Sequence, residues 1–253
     1  MTFNEPRETA LGGYEHGYMA PGLRLDGYGT YNTSYTILMA HAKAYRLYES
    51  KFKSTQNGKI GITLNCDWGE IKKPLDLEYQ EAQNRYLQWY MGIWAHPIFK
   101  GDYPEVIRSN VLRKSNLLNL DHSRLPKLSK EEITFIKGTA DFLGLNHYTS
   151  RIVEPARSFE DLEDEIEENY NPGFSDLEIA NEINQYDENQ DALVSREKRM
   201  SKRHPFGTYN DDSDVHTLSD PAWEKTGSEW LQIVPWGLKK LLIWISREYP
   251  EID

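Results

Sequence analysis

The chain has 253 residues, 38% of them hydrophobic, with 7 Trp and 16 Tyr, enough for one large domain or two small ones around an aromatic-rich core. A net charge of -11 argues against nucleic acid or an anionic membrane surface as a partner. The single cysteine, Cys66, excludes an internal disulfide and any metal site built from thiolates.

The negative charge is local. Between Arg157 and Arg196 stand 13 acidic residues and no basic one, which leaves the rest of the chain near +2. The charge therefore describes one segment and says little about a substrate. No apolar run has the length of a membrane span, and no signal-peptide pattern is visible. The histidines show no ligand spacing, so neither a metal nor a cofactor is expected.

In chain order, Thr2 and Phe3 of "MTFNEP" read as the entry of a strand. Asn32 begins "NTS", a glycosylation sequon, and its favoured reading is a helix-start residue near an N-cap. Residues 33 to 48, "TSYTILMAHAKAYRLY", predict a helix with Ile37, Ala40, Ala44, Leu47 and Tyr48 facing inward. "NGK" at 57 to 59 is a turn, and "IGITL" at 60 to 64 is a continuous apolar run, as in a strand buried on both faces. Residues 76 to 92 predict a helix, and "AHPIFKGDYP" at 95 to 104 a loop. "DFLGLNHY" at 141 to 148 predicts a second buried strand. Residues 158 to 210, including "SFEDLEDEIEENY", read as an acidic, polar surface insertion that runs on into "NDDSD". "WGLKKLLIWISREY" predicts a helix with the stripe Leu238, Leu241, Leu242 and Ile245, ended by Pro250.

Strands alternating with helices are the grammar of a parallel α/β fold. Only three strand positions appear, where an eight-stranded barrel needs eight.

A Glu before Pro at a strand end is, taken alone, an ordinary solvated residue. Its surroundings say more. "TFNEP", "GYEHGYMAPG", "AHAKAYRLY", "GDYP", "DFLGLNHYTS" and "DPAWEKTGSEWLQIVPWGL" follow one another in that order. The series resembles glycoside hydrolase family 1, the retaining β-glucosidase-like enzymes, with insect digestive and myrosinase-like members nearest. The resemblance runs along nearly the whole chain apart from the acidic segment. It implies an α/β fold that is an incomplete (β/α)8 TIM barrel, with three strands and their helices. "TFNEP" would be the fourth of eight strands. Strands one to three are then expected before Met1, and a seventh, with the nucleophile in a "TENG" motif, after Asp253. No such motif occurs in the 253 residues.

The resemblance also implies roles. Glu5 would be the acid/base carboxylate, protonating the leaving oxygen and then deprotonating water. Asn4 would bond the sugar 2-hydroxyl. Asn146 and Tyr148, two apart on one strand face, would point to the strand's C-terminal mouth, with Tyr148 bonded to the nucleophile. Asn65 and Asp67 would line the leaving-group side. His147 and Trp68 would pack rather than touch substrate. The implied substrate is a small β-glycoside or oligosaccharide. Two alternatives stay open: a thioglucosidase-like chain, and a catalytically silent binding module. Glu5 excludes only the plant type of thioglucosidase, which carries Gln there, and an intact acid/base residue favours the enzyme over the binding module. Thr33 stands where insect relatives often carry Cys, and "DWGEIKKP" lacks the usual proline after its glutamate.

Overall fold

The computed structural model describes residues 1–25, 27–156 and 207–252. Three parallel segments form its centre. Residues 2–5 run beside β1 (Gly61–Asn65): Thr2 N donates to Gly61 O, Thr63 N to Phe3 O and Glu5 N to Thr63 O, each at 3.0 Å. β1 pairs in parallel with β3 (Phe142–Asn146), with Gly61 opposite Phe142 and Asn65 opposite Asn146. These are the three strands expected from the sequence. β1 is buried throughout, as its unbroken apolar run requires. β3 is half-buried, because no described strand pairs with its other edge. The arc does not close into a barrel among the described residues.

Parallel neighbours need long crossovers, and helices supply them. The short α1 (Pro6–Thr9) and a π-helical turn at Ala10–Glu15 lead to α2 (Gly29–Lys51), which a single turn, α3 (Lys53–Gln56), follows. No side chain at its own N-cap, Tyr28, caps α2. The buried Glu15 does so from outside, accepting Gly27 N at 2.7 Å and Thr30 N at 2.9 Å. A carboxylate suits that place, where orphan amides and the helix dipole converge. Burial pushes Glu15 above the usual carboxylate range, and these same backbone bonds oppose the shift.

The helix expected over 33–48 is present, but its inward face is different. Tyr31, Ser34, Ile37, Leu38, His41, Ala42 and Tyr45 are buried, whereas Ala40, Ala44 and Leu47 face solvent and Tyr48 is half-buried. Three polar side chains on the buried side have partners: Ser34 Oγ donates to Thr30 O, His41 Nδ1 bonds Thr2 Oγ1 at 2.6 Å, and Tyr45 Oη donates to Asp141 Oδ1 at 2.9 Å. Hydropathy alone counts those residues as outward-facing. Asn32 lies in the first helical turn, exposed, and does not cap.

After β1 and the short β2 (Trp68–Glu70), helix runs on from α4 (Leu77–Leu87) through a π-helical turn at Gln88–Gly92 into α5 (Ile93–Phe99). The loop expected from 95 therefore begins only at Lys100. Pro97 lacks the N–H that would bond back to Ile93, but Ile93, Ala95 and Ile98 are wholly buried, and that packing outweighs the lost bond. Then follow α6 (Glu105–Leu117) and α7 (Lys130–Ile136), the latter opened by a reciprocal capping box of Ser129 and Glu132.

Beyond β3, β4 (Ser150–Pro155) pairs in parallel with β2 and antiparallel with β5 (Val215–Leu218). A hairpin of β6 (Glu224–Lys225) and β7 (Gln232–Ile233) precedes α8 (Pro235–Glu248). The buried seam of α8 is Gly237, Leu241 and Ile245, spaced by four. Leu238 and Leu242 of the expected stripe are 39% and 50% exposed. The seam is set by close approach: a Cβ on Gly237 would lie 1.9 Å from Ser150 Oγ.

Most of the acidic insertion lies outside the described residues. Its expected C-terminal part does not behave as surface. Tyr209 and Asp212 are buried, and Asp212 accepts from Arg124 at 2.6 Å and from Tyr31 Oη at 2.6 Å. "NDDSD" reads as polar loop by composition, yet its central Asp pairs with a buried Arg. That pairing is what makes such burial tolerable.

Candidate active site

Glu5 sits where residues 2–5 end, at the C-terminal mouth of the parallel strands. Its backbone is left-handed, with φ 49° and ψ 56°, although it is neither Gly nor Asn. Such a conformation costs roughly 1–3 kcal/mol and persists only where surroundings over-determine it. Here the strand bond from its own N–H fixes one side and Pro6, first residue of α1, the other.

From β3 and its end, two side chains reach Glu5. Asn146 Nδ2 donates to Glu5 Oε1 at 2.6 Å and to Asn4 Oδ1 at 3.2 Å. Tyr148 Oη donates to the same carboxylate oxygen. Asn146 closes β3, whereas Tyr148 lies two residues beyond it, before β4, so the expected shared strand face ends at 146 and the two side chains meet at Glu5 instead. The bond to the Glu5 carboxylate pushes the Tyr148 phenol up, so it remains a donor at neutral pH. Asn4, Glu5, Asn146 and Tyr148 thus form one cluster. The partner of Tyr148 in this chain is Glu5, in place of the nucleophile that the resemblance implied.

Asn65 and Asp67 stand beside this cluster and do not bond Glu5. Asn65 Nδ2 donates to Glu8 Oε1 at 2.9 Å, and Arg7 donates to the same oxygen at 2.9 Å. The Arg7 guanidinium lies over the Tyr90 ring, 4.2 Å from its centroid. Asp67, only 5% exposed, turns its carboxylate onto the backbone after β3 and accepts the amides of Tyr148 at 3.3 Å and Thr149 at 3.1 Å. Burial raises its carboxyl above the usual range, while those amides pull it back. Its visible work is to hold the chain that presents Tyr148. His147 bonds the Cys66 carbonyl through Nδ1 at 3.0 Å, and buried Trp68 donates Nε1 to Glu70 at 2.7 Å. Both side chains make bonds within the fold.

Two neighbours were not singled out by the sequence. Glu8 is a further carboxylate near the site, besides Asp67, one turn past Glu5 on α1. Trp230, at the tip of the β6–β7 hairpin, is 44% exposed and meets Tyr148 edge-on with ring centroids 5.7 Å apart. Thr149 Oγ1 donates to Gln232 O at 2.8 Å and Arg151 to Trp230 O at 3.0 Å, tying the hairpin to the segment that carries Tyr148 and to β4 behind it. The available signal was an aromatic in a Gly/Ser turn, "TGSEWLQ". No group of His, Cys, Asp and Glu among the described residues could hold a metal.

A carboxylate gripped at a parallel-strand mouth, with exposed aromatics beside it, suits acid/base work on a polyol. The sequence profile of glycosyl hydrolase family 1 matches residues 1–253. The chain belongs to glycosyl hydrolase family 1. Among family-1 relatives, Lactase-like protein of Homo sapiens is 40% identical over 252 residues, covering 98% of this chain and 36% of that protein. Myrosinase 1 of Brevicoryne brassicae is 36% identical over 250 residues, covering 98% and 44%. Identity to the mammalian relative is therefore at least as high as to the insect one. The structure titled aphid myrosinase superposes with a TM-score of 0.76 at 35% identity, covering all of this chain and 45% of that one. The chain thus spans less than half the length of these family-1 relatives, and the aphid myrosinase structure contains its incomplete-barrel fold as part of its own.

Proposed function

We propose that this chain carries the acid/base half of a retaining β-glycoside hydrolase site that acts on β-glucosides or related O-glycosides. The observation that carries the proposal is the Glu5 carboxylate, presented from a left-handed backbone at the strand mouth and gripped there by Asn146 and Tyr148. Glu5 would protonate the glycosidic oxygen and then deprotonate the attacking water. Asn4, bonded to Asn146 beside it, would accept or donate at the sugar 2-hydroxyl. Tyr148 and Asn146 would position Glu5, with Tyr148 also near enough to engage a second carboxylate. Asp67 would act through Tyr148 by holding its backbone. Asn65 and the exposed Trp230 face would border the leaving group, the ring offering an apolar platform to a sugar or aryl group.

Retention requires a second carboxylate about 5 Å from the acid, and the implied "TENG" motif does not occur in these 253 residues. A family member, a mutant of a rice β-glucosidase, has been solved in a covalent complex with Glc, at 25% identity and a TM-score of 0.74. That supports a glycosyl-enzyme route for this site too. A thioglucosidase reading has the Myrosinase 1 similarity in its favour. An S-glycoside leaving group needs no proton, so it would leave Glu5 with the water-activating step alone.

The test is Glu5→Gln in a complete barrel that holds these residues, such as one in which they replace the matched 250-residue span of Myrosinase 1. Hydrolysis of poorly activated alkyl glycosides should fall by 10²-fold or more. Glycosyl-enzyme formation from dinitrophenyl glycosides should persist, because they need little proton donation. Equal loss on both classes would assign Glu5 another role.

A further inference from the structure

We propose that Asn32 is an N-glycosylation site, modified before the chain folds. Asn32-Thr33-Ser34 is the only Asn-x-Ser/Thr triplet in the sequence. A structural duty at the helix start would explain the Asn, but the structure gives that duty to Glu15, which receives the amides of Gly27 and Thr30. The backbone of Asn32 is fully engaged in the helix: its N–H donates to Tyr28 O at 3.0 Å, and its carbonyl accepts Thr36 Oγ1 at 2.9 Å. Its side-chain amide has no hydrogen-bond partner among the described residues and is exposed. Thr36, Ala40, Lys43 and Leu47 continue the same solvent stripe along α2. A glycan on Asn32 Nδ2 would leave along this stripe and displace none of the buried face formed by Tyr31, Leu38, His41 and Tyr45.

The acceptor triplet is only half accessible in the folded chain. Ser34 is wholly buried, and its hydroxyl donates to Thr30 O at 2.7 Å. A transferase must read that hydroxyl in an extended triplet, and α2 holds it helical and turned inward. The transfer therefore belongs to the unfolded chain. The co-reactant is an oligosaccharide linked to a lipid pyrophosphate. The C1–O bond to pyrophosphate breaks, the Asn32 Nδ2–C1 bond forms, one amide proton passes to a base of the transferase, and lipid pyrophosphate departs.

The experiment is translation of the 253-residue chain behind a cleavable secretory leader in the presence of endoplasmic-reticulum microsomes. A second acceptor triplet fused next to the leader reports translocation in the same molecule. Chains bearing the reporter glycan should carry a second glycan at Asn32, located by mass spectrometry after amidase treatment converts Asn32 to Asp. Asn32→Gln and Ser34→Ala should each remove only that second glycan. In parallel, a complete barrel that holds these residues, made in bacteria, should accept glycan at Asn32 from transferase and lipid-linked donor at least tenfold better after denaturation than before it. Reporter-positive chains with unmodified Asn32 would overturn the site. Equal modification of native and denatured chain would overturn the order of events.

Discussion

At the scale of single residues, the account rests on who holds Glu5. Asn146 and Tyr148 both donate to one carboxylate oxygen, so deleting the Tyr148 hydroxyl removes orientation while leaving the sugar's own contacts in place. Tyr148→Phe in the complete barrel is expected to lower kcat by 10-fold or more with KM changed less than threefold. A rise in KM alone would make Tyr148 a binding residue. His41 gives a prediction about stability. It is buried against Thr2, and burial pushes its imidazole from 6.5 down to about 4. The folded chain then binds fewer protons than the unfolded chain between those values. Its contribution is complete above pH 6.5 and is lost as pH falls toward 4, by about 3 kcal/mol at most. His41→Gln should flatten that part of the urea-midpoint profile between pH 7 and 4, and an unchanged slope would contradict the assignment. Asn4, Glu5, Asn146 and Tyr148 were legible only through the ordered motifs that resemble the family, since a Glu-Pro pair at a strand end says little alone. Glu8 and Trp230 were not, since a helical turn and a hairpin bring them in through tertiary contacts that no local pattern encodes.

At the scale of elements, the long periodic helices were legible and their faces were not. α2 buries Ser34, His41 and Tyr45 by giving each a partner, so its inward stripe is polar in composition. α8 turns on Gly237, whose missing Cβ lets the helix close on Ser150 and Trp68. This rotates Leu241 and Ile245 inward and leaves Leu238 and Leu242 half in solvent. Leu241→Ala is expected to cost about 2–5 kcal/mol, whereas Leu242→Gln should stay within about 0.5 kcal/mol of the parent. Chemical denaturation of both variants decides it, and comparable losses would restore the expected stripe of Leu238, Leu241, Leu242 and Ile245. β2 and β5 carry too few residues for alternation to register, β4 is longer but its burial does not alternate, and Pro97 reads as a breaker because neighbouring burial is invisible along the chain.

At the scale of the whole molecule, three parallel segments present an arc with an open edge along β3, and its amides and carbonyls have no described strand beside them. The described cluster holds one candidate acid and lacks the motif expected to bear the nucleophile. The 253 residues expressed alone are therefore expected to aggregate and to release no aryl group from an aryl β-glucoside beyond a Glu5→Gln control. Turnover above that control would show that the chain supplies both carboxylates itself. Family membership and the parallel α/β arc could be read from ordered motifs, whereas the buried Arg124–Asp212 pair within an apparently polar stretch could not.

The most direct measurement concerns the stereochemistry of rescue. With Glu5→Gln in the complete barrel, azide needs no general base and should attack the glycosyl-enzyme in its place. On a dinitrophenyl β-glucoside the account predicts restored turnover and a β-glucosyl azide, identified by the anomeric proton coupling in the NMR spectrum. An α-glucosyl azide would mean that azide had replaced a missing nucleophile and that Glu5 was that nucleophile. No rescue and no azide product would remove Glu5 from the reaction altogether.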